Sequence, residues 1–171
     1  MKKLSVLLCV FLLTACAPSE VPSDKLVERN WIKYEINSQT PFTGASIEYY
    51  ENGQLSEKGY FKDGKPHGLA EVYHENGQLM GKVNYKDGEQ HGLFESYHEN
   101  GQLEAKVNFK DGEQHGLFES YHENGQLEAK VNNKDGEFHG LAESYDEDGK
   151  EYSSSPKCYQ NGETVDMSNC K

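Results

Sequence analysis

With 171 residues, 17 basic against 29 acidic side chains and a net charge of −12, the chain is poorly suited to hold nucleic acid or to lie with its protein face on an anionic membrane. The same acidity suits a basic partner and keeps an exposed sheet soluble. Four cysteines and 17 glycines direct attention to the two ends of the chain and to its turns.

Residues 1–15 read as a signal peptide. Lys2 and Lys3 form a charged start, Leu4 to Leu13 an apolar run too short to span a membrane readily, and Leu13-Thr14-Ala15-Cys16 the close. That close resembles the bacterial lipobox, in which cleavage leaves cysteine first and its sulfur carries lipid, so the resemblance implies an anchor at Cys16 built of diacylglycerol and fatty acyl chains such as palmitate. An ordinary signal peptide cut near Ala15 or Ala17 is the alternative. Ala17 stands where an aspartate would suggest inner-membrane retention, which points to the outer membrane facing the periplasm. Without Lys2 and Lys3, 15 basic residues face 29 acidic ones, a net charge of −14.

Residues 16–30 then read as the lipidated cysteine and a tether, polar and proline-bearing in Ala17 to Asp24. Residues 31–43 read as a degenerate half-repeat that caps the sheet, with one strand over Trp31 to Ile36 and Trp31, the sole tryptophan, covering the apolar face at the edge.

Residues 44–149 are built on a period of 24. GLFESYHENGQLEAKVNFKDGEQH runs from Gly92 to His115 and recurs almost verbatim from Gly116, with further copies starting at Gly44, Gly68 and Gly140. A fixed period of this length signals units that stack on their neighbours. Each unit has two turn signals, Glu99-Asn100-Gly101 and Lys110-Asp111-Gly112, separated by runs of alternating polarity, which is a hairpin pattern. Three-residue loops at both turns pair Tyr97 with Leu103, Leu93 with Val107, Val107 with His115 and Ala105 with Leu117. This register collects Leu93, Glu95, Tyr97, Leu103, Ala105, Val107, Phe109 and His115 on one face and leaves Phe94 on the polar one. The expected fold is all-β, an elongated single-layer antiparallel meander of hairpins.

Over residues 150–171 the pattern decays into a closing cap. Cys158 and Cys170 form an even pair in an exported tail and read as a disulfide, contributing about 2 to 3 kcal/mol. Asp146, Asp148 and Glu151 lack the glutamate and helices of a calcium loop and read as a solvated turn.

The histidine and glutamate ladders come from the repeat, which gives each residue the same environment several times rather than one catalytic constellation. Like residues one repeat apart lie about 9 to 10 Å apart, too far to share an ion. No HExxH, GxSxG or phosphate-loop pattern occurs. The reading is therefore a non-enzyme without cofactor or metal.

Tyr85-Lys86-Asp87-Gly88-Glu89-Gln90-His91-Gly92, followed by Tyr97 and Asn100-Gly101-Gln102-Leu103, resembles the MORN-repeat-variant family, whose bacterial members are commonly labelled YwqK-family antitoxins. The resemblance covers about Trp31 to Gly149 and implies sheets of successive hairpins used for protein contacts and sometimes for membrane association. It departs from the usual motif at Pro41-Phe42-Thr43-Gly44 and after Gly149.

One sheet leaves a large apolar face uncovered, and such a patch marks an interaction surface. The candidate binding face comprises Tyr73, Leu79, Tyr85, Leu93, Tyr97, Leu103, Val107, Phe109, Tyr121 and Leu127. The partner expected is a protein, toxin-like on the antitoxin reading, or a second copy of the chain in a structural, self-associating role; membrane contact is expected through the lipid alone.

Overall fold

The two turns of each repeat differ in backbone geometry, and that difference shapes the fold. In a computed structural model describing residues 19–170, the Gly101 N–H donates to the His98 carbonyl at 2.8 Å and the His98 N–H to the Gln102 carbonyl at 2.9 Å. Tyr97 pairs with Leu103, so this is the expected three-residue loop closed by a left-handed glycine (φ 82° at Gly101). At the second turn Lys110 pairs with Glu113 across Asp111 and Gly112, whose φ values are 51° and 82°. Two consecutive positive φ values make it a two-residue type I′ turn, not the three-residue loop expected, because the type I′ twist matches that of the flanking strands.

The turns link β4 (Gly44–Tyr49), β5 (Leu55–Lys62), β6 (Lys65–Tyr73), β7 (Leu79–Lys86), β8 (Glu89–Gln90), β9 (Gly92–Tyr97), β10 (Leu103–Lys110), β11 (Glu113–Tyr121), β12 (Leu127–Lys134) and β13 (Glu137–Ser144) into one antiparallel meander. β8 and β9 both pair with β7, interrupted at His91. The sheet continues past the repeats: β14 (Lys157–Gln160) pairs with β13, and β15 (Glu163–Val165) with β14, so the closing cap adds two strands after Pro156. The Cys158–Cys170 disulfide is present. At the other edge β1 (Glu20–Pro22), within the stretch read as tether, pairs parallel with β4. β2 (Leu26–Arg29) and β3 (Ile32–Glu35) form a separate hairpin, where a single strand was expected, with Trp31 at its exposed tip. Trp31 therefore covers nothing.

Bulges recur in the four copies that start at Gly44, Gly68, Gly92 and Gly116. After Tyr97–Leu103 the register slips, so Ala105 pairs with Ser96, Lys106 with Glu95 and Val107 with Phe94. One extra residue exchanges the faces for everything beyond it. The expected Leu93–Val107, Val107–His115 and Ala105–Leu117 pairs are replaced by Leu93–Asn108, Asn108–His115 and Ala105–Ser120. His115 therefore lies on the opposite face from Val107, and Phe94 joins Val107. On this valine face Val107 is 2 % exposed, although no second sheet layer among the described residues covers it. Its cover comes from the same face, where Phe94 and Phe109 meet edge to face at 6.3 Å.

Candidate binding faces

The face opposite the valines carries an alternating ladder of charge. Through successive cross-strand pairs it runs Lys58, Glu71, Lys82, Glu95, Lys106, Glu119, Lys130, Glu143, across β5 to β13. Lys82 binds Glu95 at 2.6 Å, Lys106 binds Glu119 at 2.7 Å and Lys130 binds Glu143. Lys58 turns instead to Glu20 of β1, at 2.6 Å. Lys82 and Lys106 also lie over the rings of Tyr97 and Tyr121, at 5.9 and 5.7 Å. Hydrogen bonding to Glu95, then to Tyr97, raises the Lys82 ammonium above its ordinary value of 10.5. Glu119 and then Tyr121 do the same for Lys106. Leu93, Leu117 and Leu141 flank this ladder on the side of the Asp-Gly turns and are exposed.

The valine face has two parallel rungs of different size. Phe94–Val107 and Phe118–Val131 form a ridge. Beside it Ser96, Ala105, Ser120, Ala129 and Ser144 pair in succession, an unbroken row of small side chains. Small residues beside large ones leave a groove, and the bulges turn Glu104 and Glu128 toward it. A hollow of about 650 Å³ results, lined by Ser96, Glu104, Phe118, Ser120, Glu128 and Glu147 among others. A second hollow of about 250 Å³ lies between Phe118, Val131, Phe138, Ala142 and Tyr159, with Phe138 and Tyr159 edge to face at 5.5 Å.

Turn-to-turn hydrogen bonds hold these rungs in line. Asn100 Oδ1 accepts from the Gln102 N–H at 2.9 Å, and its Nδ2 donates to the Glu123 carbonyl of the next repeat at 2.8 Å. Asn52, Asn76 and Asn124 make the same cross-repeat bond. On the opposite edge the Gly88, Gly112 and Gly136 N–H groups donate to carbonyls of the preceding repeat, those of Pro66, Gln90 and Gln114. In the degraded last turn Asp146 Oδ1 accepts from the N–H groups of Asp148 and Lys150.

The register divides the candidate binding face. Tyr73, Leu79, Leu93, Tyr97, Leu103, Tyr121 and Leu127 lie on the ladder face, whereas Tyr85, Val107 and Phe109 lie on the valine face. Glu95, expected opposite Ala105 among apolar residues, lies opposite Lys106 instead. Sequence reasoning missed the Lys–Glu ladder and the Ser–Ala row. The signal for both was the 24-residue recurrence of Glu, Lys, Ser and Ala, legible once the bulge is allowed. Cys16 lies outside the described residues.

No curated protein matches the chain. A family profile described as the MORN repeat variant matches residues 42–63, 66–87, 90–111 and 114–135. Each match begins at or near the start of one strand pair and ends on the aspartate of the Asp-Gly turn that closes it, so the profile and the hairpin geometry mark the same units. The matches together span more than half of the 171 residues, and the chain belongs to the MORN repeat variant family.

Proposed function

We propose that this protein is a lipid-anchored scaffold of the bacterial cell envelope that holds a protein partner in the groove of its valine face. The observation that carries the reading is the hollow over the Ser–Ala row, with Phe118 in its lining and Glu104 and Glu128 beside it. A floor of Ser96, Ala105, Phe118 and Ser120 edged by carboxylates fits a basic segment that also carries apolar side chains, and the chain's acidity attracts such a partner from a distance. On the antitoxin-like reading the partner is toxin-like and is met outside the cytoplasm. The anchor reading rests on Lys2, Lys3, the apolar run and Leu13-Thr14-Ala15-Cys16, and places the protein at the outer membrane, facing the periplasm.

A photoreactive residue at position 120, in the groove, tests the partner face against one at position 117, on the ladder face. A protein adduct from Ser120 and none from Leu117 is expected in intact envelopes; the reverse pattern would place the partner on the ladder, and no adduct from either would end the scaffold reading. Cys16→Ala should move the protein from the membrane to the soluble fraction.

Self-association is a second reading, favoured by the ladder. Eight alternating charges are self-complementary under a two-fold axis that runs along the strands between Glu95 and Lys106. Lys58 then faces Glu143, Glu71 faces Lys130 and Lys82 faces Glu119. Sedimentation equilibrium of the Ala17 to Lys171 chain at two salt concentrations decides. A dimer weakened by salt supports this reading, and a monomer at all concentrations rejects it.

A further inference from the structure

Trp31 occupies a turn position that this chain otherwise reserves for glycine. Asn30 and Trp31 have φ values of 51° and 64°, the two left-handed residues of a type I′ turn. The turns with the same pair of positive φ values in the main sheet read Asp63-Gly64, Asp87-Gly88, Asp111-Gly112, Asp135-Gly136 and Asn161-Gly162. A bulky side chain in the left-handed region is strained, and Trp31 recovers nothing by packing, since it is 87 % exposed. Strain retained without a packing reason points to function.

The surroundings select the ligand. The hairpin is fixed to the sheet, since the Lys33 N–H donates to the Gly64 carbonyl and the Phe42 N–H to the Lys33 carbonyl, both at 2.9 Å. Arg29 stacks on the Tyr34 ring at 3.9 Å, leaving the tip to tryptophan. From Asp24 to Ile36 three basic residues balance Asp24, Glu28 and Glu35, and Lys25 and Lys33 are paired with Asp24 and Glu28, so the hairpin is locally neutral in a chain of −12. Val27 and Ile36 are also exposed. β1 enters the sheet beside β4, in the same first repeat that holds the hairpin, four residues after Cys16. Tryptophan, with an apolar body and a polar N–H, favours the boundary between headgroups and acyl chains.

We propose that the β2–β3 hairpin is a membrane-interface contact, in which Trp31 enters the headgroup layer beside the lipid anchor and orients the sheet relative to the bilayer. This rests on the anchor reading, which brings the hairpin to the membrane.

Trp31 is the only tryptophan, so its fluorescence reports on this site alone. The Ala17 to Lys171 chain, carrying an N-terminal hexahistidine tag, is tethered to phosphatidylcholine vesicles containing a nickel-chelating lipid. A blue shift and quenching by brominated acyl chains are expected; unchanged emission overturns the proposal. The tag replaces the lipid, so this outcome is independent of whether Cys16 is lipidated, which Cys16→Ala tests separately. In flotation without the tether, Trp31→Gly should partition about tenfold less, equivalent to about 1.4 kcal/mol, and Trp31→Phe should lose less. The glycine variant should unfold at the same or a higher temperature, because it relieves the left-handed strain. Equal partitioning of Trp31→Gly and the unaltered chain overturns the proposal. A blue shift caused by an envelope protein extract and not by vesicles overturns it in favour of a protein ligand.

Discussion

His98 donates from Nε2 to the carbonyl oxygen of Tyr121, 2.8 Å away in the next repeat. A carbonyl can only accept, so the ring carries its proton on Nε2. His74 and His122 repeat the bond to Tyr97 and Tyr145, and in the first copy the Tyr50 hydroxyl donates to the Tyr73 carbonyl in their place. This histidine ladder joins repeats. His98→Ala should therefore cost about 1 kcal/mol, read as a lower denaturant midpoint at unchanged slope. Asn100→Ala removes the turn's acceptor as well as its cross-repeat donor and should cost more.

Deleting Gly92 to His115 joins His91 to Gly116 and keeps every turn, bulge and ladder alternation, since Lys82 then meets Glu119. The shortened chain should unfold in one cooperative transition with a smaller denaturant slope. Removing half that length should abolish cooperative unfolding, because it puts Lys opposite Lys or reverses the faces.

The Lys–Glu ladder predicts a particular alkaline limit. Folding raises the Lys82 and Lys106 ammonium groups above 10.5, so the folded chain holds those protons more tightly than the unfolded one. Their contribution is complete below 10.5 and is lost as pH climbs through the raised values. Denaturant midpoints measured against pH should fall through that window, and the combined variant Lys82→Met with Lys106→Met should flatten the fall. Glu95→Lys should destabilise more than Glu95→Gln at low salt, and the difference should shrink as salt is added.

Asn133 is 4 % exposed, and its side-chain amide has no hydrogen-bond partner. It occupies the position of Phe109, and Phe138, opposite it, occupies that of Gln114. The large ring has thus changed strands in the last hairpin. Restoring the earlier order with Asn133→Phe and Phe138→Gln together should stabilise by about 1 kcal/mol, by removing an unsatisfied buried amide. Asn133→Phe alone should gain less or destabilise, because two rings then share one site. A double-variant cycle in thermal unfolding reads the coupling.

The 24-residue period alone identified hairpins, the all-β class and the stacking of one unit on the next, because turn residues and alternating polarity are local. The three-residue loop at Glu99-Asn100-Gly101 was legible for the same reason. The pairing of Cys158 with Cys170 was legible from there being one pair in the tail. Which face each side chain occupies was decided only in three dimensions. The type I′ turn at Asp111-Gly112 and the bulge at Glu104 each alter the register after the turn, and one residue of slip exchanges the faces. So Phe94 joins Val107, Glu95 meets Lys106, and Leu93 parts from both Val107 and Phe109. The hairpin that leaves Trp31 exposed likewise depends on how Lys33 docks against Gly64, a contact 31 residues distant in sequence that no local pattern records.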